Sequence, residues 1–498
     1  MSLATSLAIF TAVVLFCLLS SKVSSWLNMP TLLMFLAVGM LFGSEGFGGL
    51  EFSNARMANY IGSVAMAFIL FSGGFDTRWK TVKPVMLTAG ILSSLGVLLT
   101  AVFVGLFAWV FLGWLWPENN FSLAWCILLG SIISSTDAAA VFAILRSRRV
   151  SLRGKLQPLL EFESGSNDPM AAFLTIFMVS IVTTENAGGT VPMLKYLSIF
   201  PMFLIKMTLG IAFGLALGKA TVWLYNKIDF EYDGLYYVLA FVCVLLTFSG
   251  AELAGGNGFM AVYVAGMVMG NSQFIFNNGI GRFYDGFAWL MQVILFSMLG
   301  LLSYPSQVWE IKWAGLAIAA FLMLIARPLA VFICMVRSNF TMAERVLVSW
   351  VGLRGGAPIM LATFPLLANI NGDGLMFHIV FFIVFSSVML QGMTIMHLAR
   401  WLDLDLPLRS DPRVPLFFEN TGTVDASSKE FLVDERADQK TLAELGLPRD
   451  ALVMLIRRDD KFLIPQGPTR LQSGDNLMIM GSDKALEKTA FLLQEKEH

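Results

Sequence analysis

Charge is scarce in this chain. Only 14% of its 498 residues are Asp, Glu, Lys or Arg, against about 25% in an average soluble domain. The net charge of -1 leaves no basic surface for nucleic acid. Cysteine is scarce too: Cys17, Cys126, Cys243 and Cys334 each sit inside an apolar run, without metal-ligand spacing, and read as small buried hydrophobes. Several signatures are absent. There is no Gly-x4-Gly-Lys-Ser/Thr, which argues against a nucleotide-driven pump. There is no Gly-x-Gly-x-x-Gly after a strand, which argues against a complete dinucleotide-binding half. What fills the chain is apolar: 56% hydrophobic residues and a mean hydropathy of +0.71. Long apolar stretches recur to about residue 400, so most of the chain belongs in lipid.

Apolar segments separated by polar or Gly/Pro breaks give roughly 13 candidate spans, at about 20 residues each. Their centres fall near residues 12, 36, 65, 98, 134, 171, 211, 243, 263, 293, 325, 356 and 388. The first run, Leu3 to Leu19, has no basic residue before it and no Ala-x-Ala-like site, and reads as a retained span. With the N-terminus outside, Lys22, Arg78, Lys80, Lys83, Arg146, Arg148, Arg149, Arg153, Lys155, Lys227, Arg282, Arg337, Arg345 and Arg400 all fall inside. The outside loops carry little beyond Arg56, Lys195 and Lys312. That asymmetry orients the chain with a cytoplasmic C-terminal tail in a cell inner (plasma) membrane.

A faint repeat runs through the spans. Gly39-Met40-Leu41-Phe42-Gly43 recurs as Gly266-Met267-Val268-Met269-Gly270, and Ile69-Leu70-Phe71-Ser72 recurs as Ile294-Leu295-Phe296-Ser297. Both pairs lie seven spans apart. An odd offset makes the copies cross in opposite senses, the inverted repeat of secondary transporters. The expected domains are a membrane part over 1–402, a linker over 403–428 and a small cytoplasmic α+β domain over 429–498. The last has strand patterns at Phe431-Leu432-Val433, Ala451 to Ile456, Lys461 to Ile464 and Leu477 to Met480, and helical patterns at Leu442 to Leu445 and Lys484 to Leu493.

Ionisable residues within spans are functional candidates by default. Ser134-Ser135-Thr136-Asp137 interrupts the fifth span, and side-chain oxygens there compete with the helix ladder. Asp137 either caps the break or helps bind an ion. Seven spans later Gly352-Leu353-Arg354-Gly355-Gly356-Ala357-Pro358 interrupts the twelfth. Matching broken helices point to a transport site, and Arg354 can neutralise the carbonyl ends there, with Gly355 and Gly356 supporting the break. In the sixth span Glu163 and Asp168 are five apart and face different neighbours. Arg327 is the expected partner of Glu163, in a structural clamp. Asp168 is then unpaired, with its pKa raised by low dielectric, so that a proton and a cation compete for it. Asn167 is counted with the cation/proton-binding residues but supplies no second negative charge. One titrating group exchanges one cation for one proton, a step that moves no net charge. The oxygen-only ligands Asp168, Asp137, Thr136 and Ser164 suit an alkali cation, K+, Na+ or Li+, bound at Asp168. This is transport rather than catalysis, and no cofactor is expected.

At Ser135-Thr136-Asp137, Glu163-Ser164-Gly165-Ser166-Asn167-Asp168-Pro169, Ala326-Arg327 and Gly352-Leu353-Arg354-Gly355 the chain resembles the monovalent cation/proton antiporters of the NhaP-like branch. The resemblance covers the whole membrane part. It implies an all-α polytopic membrane protein of about 13 transmembrane helices in an inverted-repeat fold, a homodimer, and an elevator-like movement of a core against a dimerisation domain. It puts the ion on Asp168 with help from Thr136, Asp137 and Ser164, and pairs Glu163 with Arg327. The Asn167-Asp168 pair is similar to that of electroneutral members. Ala138 departs from the pattern, since many relatives have proline there. Leu463 to Leu477 resembles the C-terminal half of RCK (TrkA-C-like) regulatory modules, which implies a small, nucleotide-like regulatory ligand and tilts the cation toward potassium. Two rivals remain: an RCK-regulated potassium channel, which lacks its Thr-Val-Gly-Tyr-Gly filter here, and an intramembrane aspartyl protease using Asp137 and Asp168, which lacks its Gly-x-Gly-Asp.

Overall fold

A computed structural model describes residues 2–27, 30–147, 150–189, 192–370, 374–407, 427–434, 437–448, 450–458 and 461–493. Arg148, Arg149, most of the expected 403–428 linker and the last five residues lie outside the described residues. By contacts the chain divides into two compact units. One comprises Met1–Leu224, Phe230–Ser272 and Gly281–Arg409; the other comprises Tyr225–Asp229, Gln273–Ile280 and Ser410–His498.

The first unit is helical, and two of its helices, Ile199–Lys227 and Asn277–Leu301, run at one end into residues of the second unit, Tyr225–Lys227 and Asn277–Ile280. Its helices are α1 (Leu3–Leu27), α2 (Thr31–Phe42), α3 (Ala55–Asp76), α4 (Met86–Leu115), α5 (Leu123–Ile132), α6 (Ala138–Ser147), α7 (Leu156–Asn186), α8 (Ile199–Lys227), α9 (Gly234–Leu253), α10 (Gly258–Gly270), α11 (Asn277–Leu301), α12 (Lys312–Cys334), α13 (Met342–Trp350), α14 (Gly356–Leu367) and α15 (Leu375–Trp401). Among the described residues nine helices are long and apolar enough to cross a membrane, and α2, α5, α10 and α14 are shorter apolar helices. Every expected span centre falls within a helix or at a break between two. Two three-residue strands, β1 (Val150–Leu152) and β2 (Asp405–Pro407), pair antiparallel in the same unit.

The repeat is visible in the packing. A Cβ on Gly39 of α2 would lie 2.1 Å from Ser297 O of α11, and one on Gly266 of α10 would lie 2.3 Å from Phe71 O of α3. Each glycine motif therefore packs backbone to backbone against the other copy's Ile-Leu-Phe-Ser helix. That exchange of partners is what a two-fold relation between the copies produces. The same relation links single π turns, Leu92–Gly96 in α4 and Leu322–Ala326 in α12. It also links the interruption between α5 and α6 to that between α13 and α14.

The α+β residues of the second unit form an antiparallel sheet in the order β3-β6-β4-β5, with β3 (Ser427–Leu432), β4 (Ala451–Arg458), β5 (Lys461–Leu463) and β6 (Asn476–Gly481). Helix α16 (Asp483–Leu493) supplies Leu486 and Leu493 to a core with Phe431, Ile456, Leu477 and Ile479. The helical pattern at Leu442–Leu445 forms turns instead. Thr441 and Glu444 make the reciprocal bonds of a helix start: Thr441 N donates to Glu444 Oε2 at 2.8 Å, and Glu444 N to Thr441 Oγ1 at 3.3 Å. Gly446 at φ +61° and Pro448 then stop the helix from extending.

Candidate functional site

Both interrupted helices leave orphan backbone groups in an apolar interior, and the side chains around them answer several of these. Helix α5 ends at Ile132 with its carbonyls facing the gap. Arg354 Nη1 donates to Ser134 O at 2.6 Å and to Ser135 O at 2.5 Å. Helix α6 begins at Ala138 with its amides facing the gap. Ala140 N donates to Asp137 Oδ1 at 3.0 Å, and Ala138 N to Ser164 Oγ at 2.9 Å. A cation thus sits at the negative helix end and a carboxylate at the positive one, as the helix dipoles favour. Asp137 is the N-cap of α6. The cap does by hydrogen bonding what a proline at position 138 would do by sterics.

The two unwound segments cross. Asp137 N donates to Leu353 O at 2.7 Å. A Cβ on Gly355 would lie 2.0 Å from Asp137 Oδ2, so the crossing requires glycine there. Gly356 lies against the Phe296 and Leu295 side chains. The Arg354 amide donates to Ser387 Oγ at 3.1 Å, Ser387 Oγ donates to Gln391 Oε1 at 2.5 Å, and Gln391 Nε2 donates to Trp350 O, a terminal carbonyl of α13, at 2.9 Å. Ser387 and Gln391 stand one turn apart on α15. They were missed in the sequence, although two polar residues at that spacing in an apolar helix were a usable signal.

Helix α7 faces the crossing with three of the expected residues, Ser164, Asn167 and Asp168. Asn167, fully buried, donates from Nδ2 to Thr136 Oγ1 at 2.6 Å and accepts from Thr136 N at 3.3 Å. Ser164 Oγ also donates to Thr136 O at 2.9 Å. Thr136, Ser164 and Asn167 therefore hold the α5–α6 break against α7. Glu163 points elsewhere: Arg327 Nη2, just past the π turn of α12, donates to Glu163 Oε1 at 2.5 Å, with the two side chains 3% and 1% exposed. Arg327 packs on Gly352, whose Cβ would lie 2.9 Å from its Nε.

Asp168 precedes Pro169, which has no N–H and so leaves Gly165 O without its helical donor. Asn257, the N-cap of α10, donates to Pro169 O at 3.0 Å. Asp168 faces Ser135 and lies in the field of Asp137 and Arg354. Its Oδ1 and Ser135 Oγ are both buried and, among the described residues, have no hydrogen-bond partner. Arg354 Nε and Nη2 are in the same position. The site is thus a carboxylate oxygen with spare capacity, flanked by a hydroxyl and by crossed helix ends. No group of three or more His, Cys, Asp or Glu among the described residues could hold a transition metal.

Residues 11–401 match the sodium/hydrogen exchanger transmembrane family, and residues 430–493 match the TrkA-C domain. The K(+)/H(+) antiporter NhaP of Alkalimonas amylolytica is 36% identical over 466 residues, covering 93% of this chain and 79% of that protein. The K(+)/H(+) antiporter NhaP2 of Shewanella baltica is 35% identical, covering 96% of this chain and 81% of that protein. The structure of the sodium proton antiporter MjNhaP1 from Methanocaldococcus jannaschii superposes with a TM-score of 0.67 at 22% identity, covering 81% of this chain and 99% of that one.

Proposed function

This chain belongs to the sodium/hydrogen exchanger family and is a secondary cation/proton antiporter of the membrane; we propose that it exchanges one K+ for one H+ through Asp168. The observation that carries the proposal is the buried, unpartnered Asp168 Oδ1 facing the crossing. The charges around it support the stoichiometry. Asp137, Glu163 and Asp168 bring three negative charges, and Arg327 and Arg354 bring two positive ones. One positive charge is missing, and either a proton or a monovalent cation supplies it. The site crosses loaded with one or the other and never empty, because an empty site would carry an uncompensated charge through low dielectric. Exchange is then electroneutral.

Ser135, Thr136 and Ser164 offer oxygens to the cation, Asp137 and Arg354 set the local field, and Glu163–Arg327 clamps α7 to α12. Asn167 acts by bracing Thr136. Potassium is favoured over sodium by the relatives, which are K(+)/H(+) antiporters, and by the TrkA-C domain. The loop charges support an outside N-terminus and a cytoplasmic TrkA-C domain, and the match to that domain supports a small regulatory ligand. A homodimer is the proposed assembly.

The test uses proteoliposomes with an imposed pH gradient and a fluorescent pH reporter, adding potassium, sodium and lithium in turn with membrane potential clamped and free. Dissipation by potassium at the same rate under both conditions is expected. A rate that follows the potential overturns electroneutrality, a response to sodium or lithium alone overturns potassium, and no cation-dependent proton movement overturns the reading.

A further inference from the structure

An α-helix is held by the bond from each amide to the carbonyl four residues before it. Helix α13 ends at Trp350, so continuing it would bond Arg354 N to Trp350 O. Here those two groups are joined indirectly. Arg354 N donates to Ser387 Oγ at 3.1 Å, Ser387 Oγ donates to Gln391 Oε1 at 2.5 Å, and Gln391 Nε2 donates to Trp350 O at 2.9 Å. Two side chains of α15 thus stand inside one backbone hydrogen bond and carry it in three links. A side chain inserted into the helical ladder is a recognised cause of a break.

The other break uses the same device. Helix α5 ends at Ile132, and continuing it would bond Thr136 N to Ile132 O. Thr136 N instead donates to Asn167 Oδ1 at 3.3 Å. The segments between the helices, 133–137 and 351–355, match in length. In each, the amide four residues past the helix end is taken by a side chain of the long helix that follows, α7 or α15. Ser387 and Gln391 are 0% and 1% exposed. The relay also fixes the Gln391 amide, because the flipped group would set its oxygen against Trp350 O. Thr394, three residues on and on the same stripe of α15, accepts from Trp350 Nε1 at 2.9 Å.

What this wedge holds is the crossing. With the break open, Leu353 O accepts from Asp137 N, and Arg354 Nη1 reaches Ser134 O and Ser135 O. Were Arg354 N to bond Trp350 O directly, α13 would gain one turn. Pro358 stops it from running on into α14, since proline has no amide to give Arg354 O. In the added turn Leu353 O would point along the helix axis and leave Asp137 N, and Arg354 would turn with its backbone off the α5 carbonyls. Trp350 O and Arg354 N would both stay satisfied. The segment therefore has two arrangements, and the α15 side chains select the open one.

We propose that Gln391, acting with Ser387, is a positioning residue for exchange: it holds the α13–α14 break open and so seats Arg354 and Leu353 O against the α5–α6 break. This rests on the reading that the crossing beside Asp168 is the transport site. The Gln391 amide is spent on Ser387 and Trp350, and it acts on the site through Arg354.

The test measures potassium-dependent collapse of a pH gradient in proteoliposomes, per folded protomer, across a range of pH. Gln391→Leu keeps most of the bulk and removes both bonds. It should still unfold in one cooperative thermal transition, because Trp350 O and Arg354 N can pair with each other, while exchange falls at least about tenfold at every pH. Gln391→Glu rebuilds the relay when its carboxyl is neutral, accepting from Ser387 and donating to Trp350 O. Its rate relative to wild type should be close to one at the acid end and fall as pH rises and the carboxyl ionises. Wild-type exchange by Gln391→Leu, or a Gln391→Glu rate as low as that of Gln391→Leu at the acid end, overturns the proposal. Should Gln391→Leu fail to fold, Ser387→Ala cuts the relay from the Arg354 side: lost exchange in a folded protein supports the wedge, and wild-type exchange overturns it. Failure of the Asp168 reading shows separately, as exchange by Asp168→Asn, whatever the Gln391 variants do.

Discussion

Replacing Glu163 by Gln should destabilise this protein more than any other single change at the site. The Glu163–Arg327 contact is 2.5 Å long, between side chains 1% and 3% exposed. Glu163 Oε2 and Arg327 Nε have no other partner among the described residues. Glu163→Gln keeps the shape of the side chain and removes its charge. Arg327 would then be buried without its counter-ion, and its charge also acts on Arg354, which Glu163 offsets. Breaking one side of a buried pair typically costs about 3–5 kcal/mol. At about 2–4 °C per kcal/mol for domains of a few hundred residues, the thermal midpoint should fall on the order of 10 °C. The assay is thermal unfolding of the purified full-length protein in detergent. Glu163→Gln combined with Arg327→Gln removes both charges and should recover most of the loss, since a neutral pair leaves no bare ion. A Glu163→Gln midpoint equal to wild type, or a double variant no better than the single one, would refute the clamp.

Asp168→Asn should abolish cation-dependent proton movement in proteoliposomes while leaving the thermal midpoint at or above that of wild type, because a buried unpaired charge is removed. Gly355→Ala puts a methyl 2.0 Å from Asp137 Oδ2; overpacking of about 1–3 kcal/mol and a fall in exchange rate are expected, read by unfolding and by pH-gradient collapse. In the TrkA-C domain Arg458 grips Asp475 with Nε at 2.8 Å and Nη2 at 2.7 Å, and Asp475 is 1% exposed. Arg458→Met leaves that carboxylate without its counter-charge at a cost of roughly 3 kcal/mol, and limited proteolysis should then cut residues 430–493 faster than in wild type.

Hydropathy made the spans legible, because lipid admits only segments that satisfy their own backbone. The breaks were legible for the converse reason: Ser134 to Asp137 and Gly352 to Gly356 are the wrong residues for an uninterrupted apolar helix. The repeat could be read from glycine motifs because close backbone packing tolerates no substitute at Gly39 or Gly266. The π turns at Leu92–Gly96 and Leu322–Ala326 were not legible, since one extra residue in a turn leaves hydropathy unchanged. Neither was the use made of Asn167. Its sequence position shows a missing charge, but only the geometry shows both ends of its amide spent on Thr136. Pairing of Val150–Leu152 with Asp405–Pro407 escaped for another reason: three-residue strands so far apart in sequence carry no periodic signal.

The central claim is that one carboxylate holds the proton and the cation in turn. Proton release on cation binding tests it most directly. Purified protein in weak buffer with a pH indicator is titrated with potassium. Competition at Asp168 predicts release of about one proton per protomer in wild type, as ligand deprotonation on cation binding requires, and none in Asp168→Asn. Equal release by both proteins, or none by wild type that still exchanges in vesicles, would contradict it.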